Sequence, residues 1–346
     1  MHYQRVFLEA MGYEIAPTVV SSAWIEEQLA SVYAELRIQP GQLEALTGIR
    51  ERHWWDEGFS NAEGATRAAR HALAATAVKP GDLGALIYGG VSRDHIEPAT
   101  ACAVAEAVGV GAQVEIYDIS NACLGVLNGM VAIANRIELG HIRAGIVVSC
   151  ESSREITSIM IKRLLQSRSM ESFNTTLATL TVGSGAVAMV LSDGSFGKEC
   201  PRLLGGALQT APQHHALCRW ESNGYLPGGP HEVMETDSIA VLKHGTALGV
   251  ETWERFLRDL GWTREAVDRV VCHQVGTMHR EAVLKAFGMP PVKDFSTFEY
   301  FGNMGTVSLP MTAALAAERG FLQRGHRVGF LGIGSGLNCL MLGWQW

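Results

Sequence analysis

"VEIYDISNACLGVLNGMVAIANR", residues 114–136, decides how the chain is put together. A short strand-like run ends at Asp118, and no charged residue follows until Arg136. Between them lies a helical pattern that is apolar on every face, interrupted only by Asn121, Asn128 and Asn135. Such a helix is normally buried at a domain centre. The asparagines argue against a membrane span, which needs about 20 uninterrupted apolar residues. Cys123 stands where the strand gives way to this helix. A cysteine in an apolar helix is most often a small core hydrophobe. At a helix N-terminus it has a second use, because the macrodipole and the free N–H groups favour thiolate over thiol. The thiolate is the form that attacks a thioester carbonyl. The small residues of "NACLG" leave room beside the sulfur for an acyl chain.

Outward from this unit, β-rich runs lie at 84–91, 114–119, 144–150, 180–191, 267–272, 326–332 and 338–344. Helical patterns alternate with them at about 61–78, 122–139, 237–259, 277–287 and 304–319. Alternation of this kind predicts an α/β protein with βαβ units and mainly parallel, buried sheets. A weak internal repeat sharpens the plan. "DLGALIYGGVSRDHIEPATACAVAEAVGV" and "AVDRVVCHQVGTMHREAVLKAFGM" share a layout of strand, polar loop and helix ending near Gly. "ACLGVLNGMVAIANRIELGHIRAGIVVSCES" matches "NMGTVSLPMTAALAAERGFLQRGHRVGFLGIGSG" in the same way. Glu97 and His273 then occupy equivalent loops, and Cys123 and Asn303 begin equivalent helices. Duplicated halves, 1–195 carrying the cysteine and 196–346 carrying His and Asn, would bring all four toward one central cleft.

Composition narrows the function classes. The 346 residues are 47% apolar and 18% charged, with formal net charge −7, so the chain offers no electrostatic footprint for nucleic acid or an anionic membrane. "MHYQRVFLEAMGYEIAP" reads as a strand containing Arg5 and Glu9, without the basic start and apolar core of a signal peptide. The seven cysteines are odd in number and scattered, with no CxxC pair and no metal-ligand spacing. A reduced, cytoplasmic protein without structural metal or membrane span is expected.

His273 closes a buried strand in "VVCHQVG", a place where histidine is often structural, and Asn303 in "FGNMGTVSLP" reads on its own as a helix cap. Their conjunction with Cys123 says more. Histidine can act as base or hydrogen-bond donor, and the Asn amide adds a donor that does not titrate. "LGIGSGLNC" (331–339) is a glycine-rich turn between two buried strands. It lacks the lysine and helix start of a phosphate-binding loop, but would let backbone N–H groups approach the sulfur. The N–H groups of Cys123 and Ser335 are the expected oxyanion hole.

Those residues make the chain resemble a thiolase-fold condensing enzyme, similar to 3-oxoacyl-acyl-carrier-protein synthase III over nearly its full length. "TGIRERHWW" (47–55), "DISNACLG" (118–125), "VGSGAVAMVLSD" (182–193), "HQVG" (273–276), "GNMGTVSLP" (302–310) and "LGIGSGL" (331–337) carry the resemblance. "VSRDHIEPATA" (91–101), "NACLGVLNGM" (121–130), "ALCR" (216–219) and "LGIGSGLNC" narrow it to the acyl-CoA condensing enzymes of bacterial long-chain olefin synthesis. The resemblance implies a thiolase-like fold, duplicated α/β halves in a five-layered αβαβα arrangement, and a homodimer, for which strand 114–119 is an available edge. It also implies a catalytic set of Cys123, His273 and Asn303, with acyl-CoA or acyl carrier protein thioesters as substrates and no cofactor.

The family's glutamate falls on Glu97, which read alone is an exposed loop acid beside Pro98. Decarboxylative enzymes make their carbanion by expelling CO2, whereas joining two ordinary acyl-CoAs requires removal of an α-proton. A carboxylate in a dry pocket, its pKa raised by desolvation, suits that task. The implied reaction is therefore non-decarboxylative Claisen condensation to a β-ketoacyl thioester. Decarboxylative condensation with malonyl-thioester, or acyl transfer alone, are the alternatives. The Trp and Arg that clamp the CoA adenine in many synthase III enzymes fall on Gln42 and Leu46. Either the nucleotide is held differently or the donor arrives on a carrier protein. Arg50 and Arg52 are expected near an entrance, and segments 156–177 and 206–236 as tunnel walls.

Overall fold

The computed structural model describes residues 1–197, 199–223 and 231–346. The chain opens with β1 (Phe7–Ile15), a single strand that Arg5 precedes. A short pair, β2 (Thr18–Ser21) and β3 (Glu51–Trp54), brackets helices α1 (Ser22–Gln28), α2 (Ala30–Leu36) and α3 (Gln42–Thr47). There follow α4 (Asn61–Ala74), β4 (Leu83–Gly89), α5 (Thr100–Val108), β5 (Glu115–Ile119), α6 (Gly125–Glu138) and β6 (Ala144–Glu151). Helices α7 (Arg154–Ser167) and α8 (Met170–Thr176) lead to β7 (Gly185–Ser192). After β8 (Arg202–Thr210) come the β9 (Cys218–Asn223) and β10 (His231–Thr236) hairpin and α9 (Ser238–Leu260). The remainder is β11 (Arg269–Cys272), α10 (Thr277–Phe287), α11 (Phe298–Phe301), α12 (Ser308–Glu318), β12 (Arg327–Gly334) and β13 (Asn338–Gln345).

The main sheet runs β11-β12-β13-β8-β1-β7-β6-β4-β5. Strands β6 and β7 are buried at every position, which is why they read as unbroken apolar runs. Read from its middle the order is palindromic: β1-β7-β6-β4-β5 one way, β8-β13-β12-β11 the other. An isolated bridge from Val270 of β11 to Asp294 stands where a counterpart of β5 would lie. The two runs meet where β1 pairs with β8 at Phe7 and Arg202, and the chain just before β1 extends the contact through a bridge from His2 to Gly205.

The mainly parallel sheet expected from the sequence is corrected to a mixed one. Only β4–β5, β4–β6 and β11–β12 are parallel. β1–β7, β6–β7, β12–β13 and β13–β8 are antiparallel. Helices α7 and α8, between the antiparallel neighbours β6 and β7, pack against the 20–54 region through Ile161, Leu164 and Phe173 on Ile25, Leu29 and Tyr33.

Layering follows from which faces are buried together. Apolar residues of α6 and α12, such as Met130, Ile133, Met311 and Leu315, pack with β6, β7, β12 and β13 in one core. Helices α4 and α5 cover the outer face of the first strand set, and α9 and α10 that of the second. The result is the five-layered αβαβα arrangement of the thiolase-like fold, with α6 in its central layer. Among the described residues no helix is long and apolar enough to cross a membrane.

Candidate active site

Both central helices begin in a 3-10 turn, Ala122–Leu124 before α6 and Gly305–Val307 before α12. Cys123 sits in the first turn, and Asn303 two residues before the second. Ala122 holds φ +44°, left-handed backbone that costs a non-glycine residue about 1–3 kcal/mol. That kink sets Cys123 at the cleft. The glycine-rich end of β12 lies against the same turn. A Cβ on Gly334 would come within 3.3 Å of the Cys123 nitrogen, and one on Gly332 within 2.7 Å of Leu124. The glycines of "LGIGSGL" therefore admit the nucleophile turn, and Ser335 lines the cleft beside it.

The cleft has a volume of about 470 Å³, the size of a small-molecule site, and Cys123, His273, Asn303 and Ser335 all line it. Cys123 is half-buried, and burial pushes its thiol up to about 12, reinforced by Cys218 and Glu151 nearby. Burial thus works against the thiolate that the helix terminus favours. Alkylation of resting Cys123 by iodoacetamide is accordingly expected to need a pH well above the ~8.5 midpoint of a free cysteine. Peptide-mapped mass spectrometry over a pH series checks this; a midpoint at or below that of free cysteine would refute it.

His273 follows β11, its N–H donating to the Leu331 carbonyl (3.0 Å). Gln274 locks the turn, donating to the Cys272 carbonyl (2.6 Å) and accepting from the Thr297 N–H (2.8 Å). Burial first, then His279, pushes His273 down to about 4, so the imidazole is neutral at pH 7. Among the described residues its Nδ1 has no partner.

Asn303 is fixed through its backbone, its N–H donating to Thr181 (3.0 Å) and its carbonyl accepting from Gly183 (2.9 Å). Its Oδ1 accepts the Gly305 N–H at 3.0 Å. With the amide oxygen held in this way, Nδ2 is the group left to donate to a substrate oxygen.

Two expectations are corrected. Glu97 does not enter the cleft of its own chain. It lies exposed on the 90–99 loop, next to Ile96, which is 95% exposed. The dry pocket expected for it is not supplied within this chain. Arg52, expected near an entrance, is fully buried under the Asn303 segment. Its guanidinium donates to Val20 O (3.3 Å), Ser22 Oγ (3.1 Å) and Leu180 O (3.1 Å), and burial lowers it to about 10. Arg50 is the exposed one, paired with Glu44 and Glu299. Leu46 lines the cleft, whereas Gln42 begins α3. Of the expected walls, Ile156, Leu177, Cys218, Trp220 and Met234 do line it; residues 224–230 lie outside the described residues.

Sequence reasoning missed Glu151 and His279, both cleft residues. The one signal for Glu151 is an acid ending a wholly apolar strand, "AGIVVSCE"; for His279 it is a second histidine six places after His273.

Residues 257–346 match the family model described as 3-oxoacyl-[acyl-carrier-protein (ACP)] synthase III C terminal. An acyl-CoA:acyl-CoA alkyltransferase from Shewanella oneidensis is 53% identical, with all of both chains covered. One of the same name from Xanthomonas campestris is 35% identical, again over all of both chains. A crystal structure of Xanthomonas campestris OleA, a Cys-to-Ser variant with bound lauric acid and lauroyl-CoA, superposes with TM-score 0.93. It is 34% identical and covers 99% of this chain and 100% of that one. The cysteine replaced there and a glutamate replaced in a companion structure are 26 residues apart, the spacing of Glu97 and Cys123 here.

Proposed function

The chain belongs to the OleA group of thiolase-fold condensing enzymes, and from that premise we infer that it joins two fatty acyl thioesters by non-decarboxylative Claisen condensation through an acyl-cysteine. The convergence of Cys123, neutral His273 and the donor-oriented Asn303 in one apolar cleft carries this reading. Fatty acyl-CoA is the substrate class, in keeping with the lauroyl-CoA held by the Xanthomonas protein. The chemistry requires no metal or redox cofactor.

Cys123 attacks the first thioester. The C–S bond to CoA breaks, and the thiol proton passes to the departing CoA sulfur, with neutral His273 at hand to carry it. The N–H groups of Cys123 and Ser335 hold the tetrahedral oxyanion, each such donor contributing roughly 3 kcal/mol. A second acyl-CoA then sets its carbonyl oxygen between His273 and the Asn303 Nδ2. Glu97 takes the α-proton, and the carbanion attacks the acyl-cysteine. The new C–C bond forms as the Cys123 C–S bond breaks, and the proton returns from Glu97 to the thiolate. A β-ketoacyl thioester leaves.

Because Glu97 is exposed in its own chain, it serves the cleft of a second protomer. β5 is the terminal strand of the sheet and runs directly into the nucleophile turn. Antiparallel pairing of two such edges about a twofold axis gives a homodimer and carries each 90–99 loop toward the partner's cleft. The seven scattered cysteines, with no paired spacing, suit a reducing cytoplasm.

The test mixes two inactive variants. Cys123→Ala and Glu97→Gln protomers, co-expressed and purified as a mixed dimer, should regain condensation, since one cleft then holds an intact cysteine and a partner's intact glutamate. A mixed dimer as inactive as its parents would return Glu97 to its own chain's cleft and overturn the shared-site reading.

A further inference from the structure

The loop that carries Glu97 is held at its stem by carboxylates. Asp94 accepts from the Asn61 N–H (2.7 Å), the Ala62 N–H (2.9 Å) and Ser60 Oγ (2.7 Å), tying the loop to the start of α4. Asp118 accepts from the Thr100 and Ala101 N–H groups, both at 2.9 Å, closing the far end onto α5. The near end is held by Glu151, whose two oxygens accept the Val91 N–H (2.9 Å) and the Ser92 N–H (3.0 Å). The tip, His95 to Pro98, is left projecting into solvent.

Glu151 differs from the two aspartates in where it stands. It is 5% exposed, lines the cleft, and is close enough to Cys123 to act on its thiol. A Cβ on Gly305, in the turn that fixes Asn303, would lie 3.5 Å from its carboxyl carbon. Its backbone carbonyl accepts the Trp55 indole N–H (3.1 Å). One buried acid therefore touches the stem of the Glu97 loop and the Asn303 turn, and faces the nucleophile.

We propose that Glu151 is a positioning residue of the condensation step, anchoring to the wall of its own cleft the stem of the loop that carries Glu97 to the partner's cleft. The inference rests on the reading of Glu97 as the base. Burial pushes the Glu151 carboxyl up, and the Val91 and Ser92 N–H groups oppose it; with both oxygens accepting N–H groups the geometry is that of an ionised carboxylate, whose charge-assisted bonds are the stronger kind. A glutamine here keeps the size but sets an NH2 against one backbone N–H, so one tether becomes a repulsion.

In Glu151→Gln, condensation of two acyl-CoAs should fall roughly 10²-fold while single-turnover acylation of Cys123 stays within about threefold, since a misplacement near 1 Å is enough for such a loss. Combined with Glu97→Gln, the second change should add nothing further, because both act through one group. A fold defect that exposed the thiol would also lower its alkylation pH, so near-wild-type acylation of Cys123 is the mark that the fold is intact. The groups facing Cys123 are Cys218 and Glu151, and Arg93 faces Glu151 in turn. Removing the Glu151 charge should therefore move Cys123 alkylation to lower pH. Glu151→Asp, which keeps the charge but shortens the reach, should lose condensation with the alkylation profile unmoved.

Wild-type condensation in Glu151→Gln, equal loss of acylation and condensation in both variants, or additive effects in the double variant would each overturn the proposal. Failure of the underlying reading shows itself elsewhere, as condensation that survives Glu97→Gln alone.

Discussion

Cys123→Ala is expected to abolish the acyl-enzyme and to lower condensation by a factor on the order of 10⁶, the loss typical of deleting a nucleophile whose partners act only through it. Two other thiols line the cleft among the described residues: Cys218 starts the β9 hairpin and Cys272 is buried at the end of β11, and neither sits in the 3-10 turn that carries Cys123. The fold should be retained, since Cys123 is half-buried and Ala122 keeps its own backbone conformation. Intact-protein mass spectrometry after incubation with lauroyl-CoA reads the outcome directly. Cys123→Ser, nearly isosteric, should give the same blank spectrum. An acyl adduct that persists on either variant and maps to Cys218 or Cys272 would move the nucleophile there.

Glu97→Gln is the next largest effect. Loss of a general base costs about 10²–10⁴-fold in rate, and the loss here should fall on one step only. Acylation of Cys123 needs the thiol, the proton path and the oxyanion donors, none of which involves Glu97. Condensation needs the α-proton removed, and a glutamine has no basic oxygen to take it. Deuterium uptake at the α-carbon of the second acyl thioester should fall with product formation. A chain that makes product only from malonyl-thioester, and loses little of it in Glu97→Gln, would be a decarboxylating enzyme instead.

Much of this site is legible in the sequence because the halves repeat. Cys123 and Asn303 both precede long apolar helices, and those helices share one core layer, so their starts converge. His273 follows a strand that pairs as β4 does in the other half, and it arrives at the same place. What was not legible depends on three-dimensional partners. "RERHWW" places Arg52 in an ordinary alternation, and nothing local says that Val20, Ser22 and Leu180 supply its acceptors from far along the chain. The charge of Cys123 was misjudged because a helix start can be seen in sequence, whereas the apolar walls that desolvate it come from several segments. Glu97 was read correctly from its neighbours alone as an exposed acid; the dry pocket was an inference from chemistry that a single chain does not supply. Strand direction failed at β7 and β13. The first follows two helices that never pack on the sheet, and the second a tight hairpin in which Gly334 pairs with Asn338.

The shared helix layer also sets a timetable for biosynthesis. Every strand of the first half has been made once Ser192 has left the ribosome, but α12, the other member of the central layer, ends only at Glu318. At roughly 5–20 residues per second the interval is on the order of ten seconds. Throughout it, Val147, Val187 and Met189 face outward with α6 as their only cover. A nascent chain in that state presents a broad oily surface to solvent, the kind that chaperones bind and that aggregates when left alone. The burden of making this protein therefore falls on the long pause between two helices that end as neighbours.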